Sequence, residues 1–246
     1  MNFTILRFDS IESTNTEAAN QARQGADEGL CVIARQQTAG RGRHGRTWVS
    51  KPDAGLYFSI VLRPKIDTRL LPLITLMAGV AVHDLLSSYC LRPDIKWVND
   101  VLVGEKKICG ILAETVETSK GLAVIVGIGI NLKSSNLPDE IAETATSIKS
   151  ETGKTVEPNE LAESLTHYFS YFYNILKEDG GNQEILRHWQ QRSTYFSGKY
   201  VRVTLSEGSF DGTTDGLEEN GALRVKTADG SVTIVQAGDV ERLREI

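Results

Sequence analysis

The chain has few cysteines, no long apolar run and no excess of positive charge. Its 246 residues include three cysteines, Cys31, Cys90 and Cys109, which are scattered and lack the paired spacing of a zinc site. We therefore expect no disulfide framework, and we predict that the three thiols are buried in a protein of a reducing compartment. The longest apolar stretch, GLAVIVGIGINL (121–132), is too short and too rich in glycine to span a bilayer.

The first residues lack the features of a secretion signal. The segment MNFTILRFDSIESTN (1–15) has neither a basic start nor a long apolar run, so the expected location is the cytoplasm. The formal net charge is −5, which argues against a general nucleic-acid binder, because such proteins carry a broad basic face. Neither nucleic acid nor a membrane is therefore expected as a partner.

The chain does contain short strands alternating with amphipathic helices, which is typical of an α+β protein. We predict a mixed sheet dominated by hairpins, with the helices on one side. Thr14 and Glu17 have the spacing of a capping box, so a helix is expected to start there. Strands are predicted at 3–9, 30–37, 56–64 and in three runs across 94–132, helices at 71–89, 159–179 and 182–193, and a loop with a short helix at 132–157.

The composition changes after about Ser197. The remaining residues form short β runs separated by Glu-Gly, Asp-Gly and Asn-Gly pairs, which are hairpin turn sequences at close spacing. We therefore predict a large domain over residues 1–195 and a small β-barrel over residues 196–246.

One loop concentrates positive charge in this acidic chain. The segment QTAGRGRHGRTW (37–48) places three arginines and a histidine among three glycines. Residues 40–45 spell G-x-G-x-x-G, but no helix follows, so a dinucleotide fold is not indicated, and no Gly-Lys-Ser/Thr of a P-loop occurs. The pattern favours a loop that binds a phosphate or carboxylate through guanidinium groups and backbone N–H groups. Its charges would repel one another until an anion arrives, so we expect the empty loop to be mobile; a solvated basic turn is the alternative.

Five segments, in this order, resemble a known family, the biotin–protein ligases (biotin–[acetyl-CoA carboxylase] ligases). The segments are DSIESTNTEA (9–18), QTAGRGRHGRTW (37–48), KWVND (96–100), EKKICGILAE (105–114) and VIVGIGIN (124–131). The resemblance implies a catalytic α+β domain related to class II aminoacyl-tRNA synthetases, followed by an SH3-like barrel. Val98 stands where the family usually has proline, which affects only the local turn. The motifs begin so close to Met1 that we expect the monofunctional form, without the DNA-binding domain of some bacterial members.

The resemblance also implies a two-step reaction. The carboxylate of biotin attacks the α-phosphate of ATP, which gives biotinyl-5′-AMP and pyrophosphate. A lysine of the biotin carboxyl carrier protein of acetyl-CoA carboxylase then attacks the mixed anhydride. Other biotin-dependent enzymes are further expected acceptors. ATP and biotin are thus expected as substrates and Mg²⁺ as an activating ion. Neither step needs a nucleophilic side chain of the enzyme, so catalysis is expected to come from positioning and from neutralising charge.

Roles for individual residues follow from the motif match. Biotin binding is assigned to Ser13, Thr14, Asn15, Gln37, Arg41, Gly42, Arg43, Lys107 and Gly110. Nucleotide binding is assigned to Arg41, Arg43, Arg46, Trp48, Asn99, Lys107 and Asn131. Catalysis is assigned to Lys107, Arg43, Lys96 and Asp100, and Asp100 is also the predicted Mg²⁺ ligand. The alternatives are helix capping for Thr14, core packing for Trp48 and a simple turn for Asn99.

Two other functions stay open at this point. A lipoate–protein ligase shares the fold and the adenylate chemistry, but its dithiolane substrate has no ureido group, so the polar residues at 13–15 and 37 favour biotin. A non-catalytic regulator that responds to biotin or nucleotide is the other alternative. An exposed edge strand would let two copies pair, so a homodimer is also left open.

Overall fold

A mixed sheet forms the centre of the structure, a computed structural model that describes residues 1–133 and 139–242. Its strands are β1 (Thr4–Ile11), β2 (Leu30–Gln37), β3 (Gly55–Leu62), β4 (Pro93–Lys96), β5 (Asp100–Val103), β6 (Lys106–Thr118) and β7 (Gly121–Asn131). Their order in the sheet is β1-β2-β3-β7-β6-β5-β4. Strands β1 and β2 run parallel and the other neighbouring pairs are antiparallel, so the predicted mixed, hairpin-rich sheet is confirmed.

Helices cover both faces of this sheet, and our prediction of helices on one side was wrong. The helices are α1 (Thr14–Arg23), α2 (Leu73–Ser88), α3 (Asp139–Ala142), α4 (Ile148–Thr152), α5 (Pro158–Lys177) and α6 (Gly181–Gln190). Along β2, Cys31 and Ile33 join the large core that includes α2 and α5, whereas Val32 joins a smaller core with the alanines of α1. Because successive side chains of a strand alternate between faces, α1 lies opposite the other long helices. The parallel pair β1–β2 requires such a crossover helix.

The start of α1 differs from the predicted capping box. Ser13 is the N-cap residue and makes no capping hydrogen bond through its side chain, whereas Thr14 is already helical. The Thr14 hydroxyl donates to Gln37 Oε1 at 3.1 Å, and Glu17 accepts from Gln21 Nε2 at 2.8 Å. Thr14 is therefore turned toward β2 by a tertiary contact, which local spacing does not reveal.

The turn between β5 and β6 agrees with the sequence. Gly104 and Glu105 have φ values of 57° and 69°, as the two central residues of a tight hairpin turn require. The segment 94–100 is divided, since β4 ends at Lys96 and β5 begins at Asp100, and the peptide bond between Trp97 and Val98 is cis. In the predicted loop at 132–157, residues 134–138 lie outside the described part of the chain.

The prediction of three buried thiols was wrong for one cysteine. Cys31 and Cys109 are buried, but Cys90 is exposed, because the chain turns away from α2 there with a positive φ. Burial raises the pKa of Cys31 to about 12 and raises that of Cys109 as well. Neither buried thiol is thus suited to act as a nucleophile.

The C-terminal residues form an antiparallel sheet of five strands within the described range. These are β8 (Ser197–Leu205), β9 (Gly208–Leu217), β10 (Leu223–Lys226), β11 (Val232–Val235) and β12 (Asp239–Arg242), in the order β11-β10-β9-β8-β12. Residues 243–246, which belong to the predicted barrel, lie outside the described residues. The sheet packs on the first domain, where Trp97 Nε1 donates to Gly221 O at 2.9 Å and a Cβ on Gly221 would meet Leu76 at 2.7 Å. Asp239 of β12 forms an ion pair with Arg46 of the glycine–arginine loop.

The six helices of the described ranges include none that combines the length and the apolar character needed to cross a membrane.

Candidate active site

A pocket lies above strands β6 and β7, between the first turn of α1 and the glycine–arginine loop. Thirteen of the predicted site residues line it: Ser13, Thr14, Asn15, Gln37, Arg41, Gly42, Arg43, Arg46, Trp48, Asn99, Asp100, Lys107 and Gly110. Lys96 and Asn131 are not part of this lining. The pocket also contains residues that we did not assign to it: Thr47, Tyr57, Phe58, Ile111, Leu112, Gly127, Ile128, Gly129 and Asp239.

Glycines form the floor of the pocket, because side chains of the protein approach the backbone there. Gly110 of β6 lies opposite Gly129 of β7. A Cβ would lie 2.9 Å from the ring of Trp48 if added to Gly110 and 2.5 Å from it if added to Gly129. We predicted that Gly110 would let the ligand reach the backbone, but in this structure the Trp48 ring lies against it. The Nε1 of Trp48 is buried without a hydrogen-bond partner in the described chain. Trp48 is therefore a wall of the pocket with an unused donor.

At one end of the pocket, hydrogen bonds fix Thr14 and Gln37. The backbone N and the hydroxyl of Thr14 both donate to Gln37 Oε1, at 2.8 and 3.1 Å. Gln37 Nε2 donates one proton to Ser50 Oγ at 2.7 Å, and an amide nitrogen carries two. The second Gln37 proton and the Ser13 hydroxyl therefore remain as polar groups for a ligand, whereas the Thr14 proton is used within the protein.

Asn15 supports this end from behind. Its Nδ2 donates to Leu112 O at 3.2 Å and to Glu114 Oε2 at 2.8 Å, and its Oδ1 accepts from Ser59 Oγ at 2.6 Å. These contacts occupy both amide protons. The predicted direct contact of Asn15 with biotin is thus not favoured, and positioning of its neighbours is the role that the geometry supports.

The arginines of the glycine–arginine loop are paired with carboxylates. Arg41 Nη2 lies 2.7 Å from Glu114 Oε2, and Arg46 forms an ion pair with Asp239 of β12. Arg43 Nη1 donates to Asn99 Oδ1 and to Gly238 O, both at 3.2 Å, and lies 3.7 Å from Asp239 Oδ1. Mutual repulsion, from which we predicted a mobile empty loop, is therefore offset by two acidic residues. The Arg43 side chain is only 18% exposed, whereas those of Arg41 and Arg46 are 45% and 67% exposed.

The backbone of the loop is closed on itself. Arg41 pairs with Thr47 in an antiparallel bridge, Gly42 N donates to Arg46 O at 2.7 Å, and Trp48 N donates to Gly40 O at 2.9 Å. Burial lowers the pKa of Arg43, but a guanidinium keeps its charge in a protein. The loop thus presents a held cation at the centre of the pocket.

Lys107 and Lys96 flank one carboxylate. Lys107 Nζ lies 2.7 Å from Asp100 Oδ1, and Lys96 Nζ, which is not part of the pocket lining, lies 3.8 Å from Asp100 Oδ2. Lys107 Nζ also lies 5.4 Å from the centre of the Trp48 ring. Of the two lysines, only Lys107 is part of the pocket lining, and the predicted catalytic role of Lys96 stays a prediction.

The role of Asp100 as a Mg²⁺ ligand stays a prediction, and in this arrangement its carboxylate lies beside two ammonium groups. Two ammonium groups already lie within 4 Å of its carboxylate, and they would repel a divalent cation. A cluster of three or more metal-binding side chains was not found within residues 1–133 and 139–242. The geometry instead makes Asp100 the residue that holds Lys107.

The two predicted nucleotide-binding asparagines have different environments. Asn99 Nδ2 donates to Ile111 O at 3.0 Å, and the Ile111 N donates to the backbone O of Asn99 at 2.9 Å. The Oδ1 of Asn99 accepts from Arg43 in the pocket. Asn131 is buried and donates to Thr146 O at 3.0 Å, outside the pocket lining. Asn99 thus combines the turn and the site roles, whereas for Asn131 the structure supports only a structural one.

Known proteins resemble this chain in sequence and in fold. Residues 7–131 match the model of the biotin/lipoate A/B protein ligase family, and residues 196–243 match the biotin protein ligase C-terminal domain. The bifunctional ligase/repressor BirA of Bacillus spizizenii is 35% identical over 96% of this chain and 73% of its own length. The biotin–[acetyl-CoA-carboxylase] ligase of Paracoccus denitrificans is 33% identical over 92% of this chain and 95% of its own.

A solved structure agrees with these matches. The biotin protein ligase from Aquifex aeolicus, in complex with biotin and ATP, superposes with a TM-score of 0.85 at 30% identity, over 98% of this chain and 99% of that one. Two family models thus match in order, with a fold shared along the whole length. The chain therefore belongs to the biotin/lipoate A/B protein ligase family, among its biotin protein ligases.

Proposed function

We propose that this chain activates biotin with ATP as biotinyl-5′-AMP and transfers the biotinyl group to a lysine of a biotin carboxyl carrier protein. The observation that carries the proposal is a single pocket with a neutral polar end, a glycine floor and a cationic end. Such a pocket suits a ligand with a ureido head and a carboxylate tail that meets a triphosphate. Relatives named biotin–[acetyl-CoA-carboxylase] ligases make the carrier protein of that carboxylase the proposed acceptor.

The polar end is assigned to the head of biotin. The free Gln37 amide proton and the Ser13 hydroxyl are donors suited to its ureido oxygen, and Thr14 fixes the Gln37 amide through Oε1. The apolar tail then extends along the Trp48 ring, which itself covers Gly110 and Gly129. Its carboxylate arrives beside Lys107, which lies at 5.4 Å from that ring.

The cationic end is assigned to the first chemical step. A carboxylate oxygen forms a bond to the α-phosphorus while the bond from that phosphorus to the pyrophosphate oxygen breaks. Lys107 and Arg43 offset the negative charge that gathers around phosphorus, and their positions are set in advance by Asp100 and Asn99. In the second step the acceptor lysine's amine attacks the carbonyl carbon of the anhydride, and AMP leaves.

Several finer points form part of the proposal. Mg²⁺ enters only as the ion that accompanies ATP, since Asp100 is held by two lysines. The relation to class II aminoacyl-tRNA synthetases and an SH3-like C-terminal barrel are proposed, with support from the biotin protein ligase C-terminal match that begins at residue 196. The division at 195/196, a cytoplasmic location and a homodimer likewise stay predictions.

The test is ATP–pyrophosphate exchange. With labelled pyrophosphate, we expect label to enter ATP only when biotin is present, because the reversal of adenylate formation requires the biotinyl group. Lipoate in place of biotin is the matched control and is expected to give no exchange. Exchange with lipoate alone would favour the lipoate ligase alternative, and nucleotide binding without any exchange would favour the regulator.

Replacing Arg43 by glycine is expected to let the adenylate escape. Arg43 ties the loop to Asn99 and to residues 238 and 239 of the C-terminal sheet, so its loss opens the loop over a reactive anhydride. Escape should rise about tenfold, which corresponds to about 1.4 kcal/mol of lost closure. A streptavidin blot of albumin incubated with enzyme, ATP and biotin measures this escape.

The control for this variant is Arg69→Gly, which removes an exposed arginine of a distant surface turn. We expect its albumin labelling to match that of the unchanged enzyme. Labelling should also rise with pH in the Arg43 variant, because free lysines, with pKa values near about 10.4, attack the anhydride only in their neutral form. If the Arg43 variant makes adenylate and labels albumin no more than the unchanged enzyme, Arg43 does not control release.

A further inference from the structure

Glu114 connects the first turn of α1 to the glycine–arginine loop through one carboxylate oxygen. Its Oε2 accepts from Asn15 Nδ2 at 2.8 Å and from Arg41 Nη2 at 2.7 Å. The two donors come from distant parts of the sequence, the first turn of α1 and the glycine–arginine loop, while Glu114 itself lies on β6. The side chain of Glu114 is 32% exposed, so the carboxylate is partly shielded and its charge-assisted hydrogen bonds are stronger than those of a fully solvated group.

At the head-group end, Asn15 is held with little freedom. It is 4% exposed, and a Cβ on Gly127 would lie 2.1 Å from its Oδ1, so the amide is packed directly onto β7. Ser59 fixes the Oδ1 and Glu114 fixes the Nδ2. Asn15 also belongs to the same helical turn as Thr14, which sets the orientation of Gln37. A shift at Glu114 therefore reaches the donors assigned to biotin.

At the phosphate end, Arg41 begins the closed part of the loop. Its backbone pairs with Thr47, so Arg41 and Thr47 form the base from which residues 42–46 project. The ion pair with Glu114 attaches this base to β6. Arg43 and Arg46 are instead held by the C-terminal sheet through Asp239, whereas Glu114 ties Asn15 to the base of the loop.

We infer that Glu114 is a positioning residue that couples biotin binding to nucleotide binding. This inference rests on the proposed function of the pocket. Biotin stabilises Asn15 and its neighbours, Asn15 fixes the Glu114 carboxylate, and the carboxylate fixes the base of the loop that closes on the triphosphate. Each substrate then binds more tightly when the other is present, and the enhancement is the same in either order. Without the carboxylate, the two ends of the pocket bind their substrates independently.

The experiment compares the affinity for biotin with and without saturating α,β-methylene-ATP, an analogue that does not release pyrophosphate. Isothermal titration gives the two dissociation constants, and their ratio measures coupling. We expect a ratio of at least about fivefold for the unchanged enzyme. Glu114→Gln keeps the size of the side chain and one carbonyl acceptor for Asn15, but it loses the charge opposite Arg41, so its ratio should fall to near one.

Glu117→Gln is the matched control, because it removes the same charge from an exposed position on the same strand. Its ratio should equal that of the unchanged enzyme. Melting temperature checks the fold of each variant, and if Glu114→Gln does not fold, Arg41→Gln removes the other partner of the ion pair and should also bring the ratio to near one. A purely structural role would change stability without changing the ratio.

The outcomes separate this inference from the proposed function. A chain that shows no biotin-dependent pyrophosphate exchange would overturn the proposed function, and the coupling inference with it. An active chain whose coupling ratio is near one, or whose ratio is unchanged in Glu114→Gln, would overturn the inference alone. Loss of coupling in Glu114→Gln, with retention in Glu117→Gln, is the supporting result.

Discussion

Lys107→Ala is expected to slow adenylate formation about a hundredfold while leaving the fold intact. Lys107 is the ammonium group that faces the pocket floor, and it is held at 2.7 Å from Asp100 Oδ1. Removing a charge-assisted contact at a reacting centre costs on the order of 3 kcal/mol. The position contributes little to stability because the lysine side chain is partly exposed at the start of β6. Single-turnover formation of biotinyl-AMP gives the rate, and circular dichroism checks the fold.

Two further variants separate charge neutralisation from other effects of this change. Lys106→Ala removes the preceding, exposed lysine and should leave the rate unchanged. In Lys107→Ala, the Asp100 carboxylate loses its nearest cation and would repel the triphosphate, so adding Asp100→Asn should recover part of the lost nucleotide affinity but not the rate. A Lys107→Ala enzyme with near-normal adenylate formation would remove Lys107 from the reaction.

The fold was largely predictable because its strands carry strong local patterns. The predicted strand at 30–37 coincides with Leu30–Gln37, and the turn at Gly104 and Glu105 has the positive φ values that such a pair indicates. The placement of α1 was not predictable in the same way. Its alanine-rich sequence is compatible with either face of the sheet, and the face is decided by the crossover between two parallel strands.

The site was predictable where a motif places its residues on one loop or strand. It was not predictable where the pairing of strands determines which side chains meet. Lys96 and Asp100 are four residues apart in a motif and lie opposite each other in the β4–β5 hairpin, where Lys96 contacts Asp100 without being part of the pocket lining. Asp239 was missed because it reaches the loop from the C-terminal sheet, about 200 residues along the chain. A single sequence does not indicate which oppositely charged residues form an ion pair when they are so far apart along the chain.

Gly127→Ala, a substitution in the pocket, is expected to destabilise the protein and is the second of the two largest effects. A Cβ at this position would lie 2.1 Å from Asn15 Oδ1 and 2.8 Å from Asn15 Cγ, and Asn15 is buried. The backbone of Gly127 is that of an ordinary strand, so the effect is steric. Overpacking of this kind destabilises a protein by about 1–3 kcal/mol. Thermal or urea unfolding should show a loss in that range.

Gly127→Ala should also weaken the binding of biotin to the folded protein. A displaced Asn15 gives up its hydrogen bonds to Ser59 and Glu114, and the Thr14–Gln37 pair next to it loses its support. Breaking two or three buried hydrogen bonds at once corresponds to on the order of a hundredfold in the dissociation constant. Isothermal titration with biotin, at a temperature well below the melting point, measures this change on folded protein.

The double variant Gly127→Ala/Asn15→Ala distinguishes the clash from the function of Asn15. Removing the amide makes room for the new methyl group, so the melting temperature should return toward that of the unchanged protein. Biotin affinity should remain low, because the hydrogen bonds from Asn15 to Leu112 and Glu114 are still missing. Recovery of affinity together with stability would show that Asn15 only fills space, and that the hydrogen bonds around it do not position the residues that bind biotin.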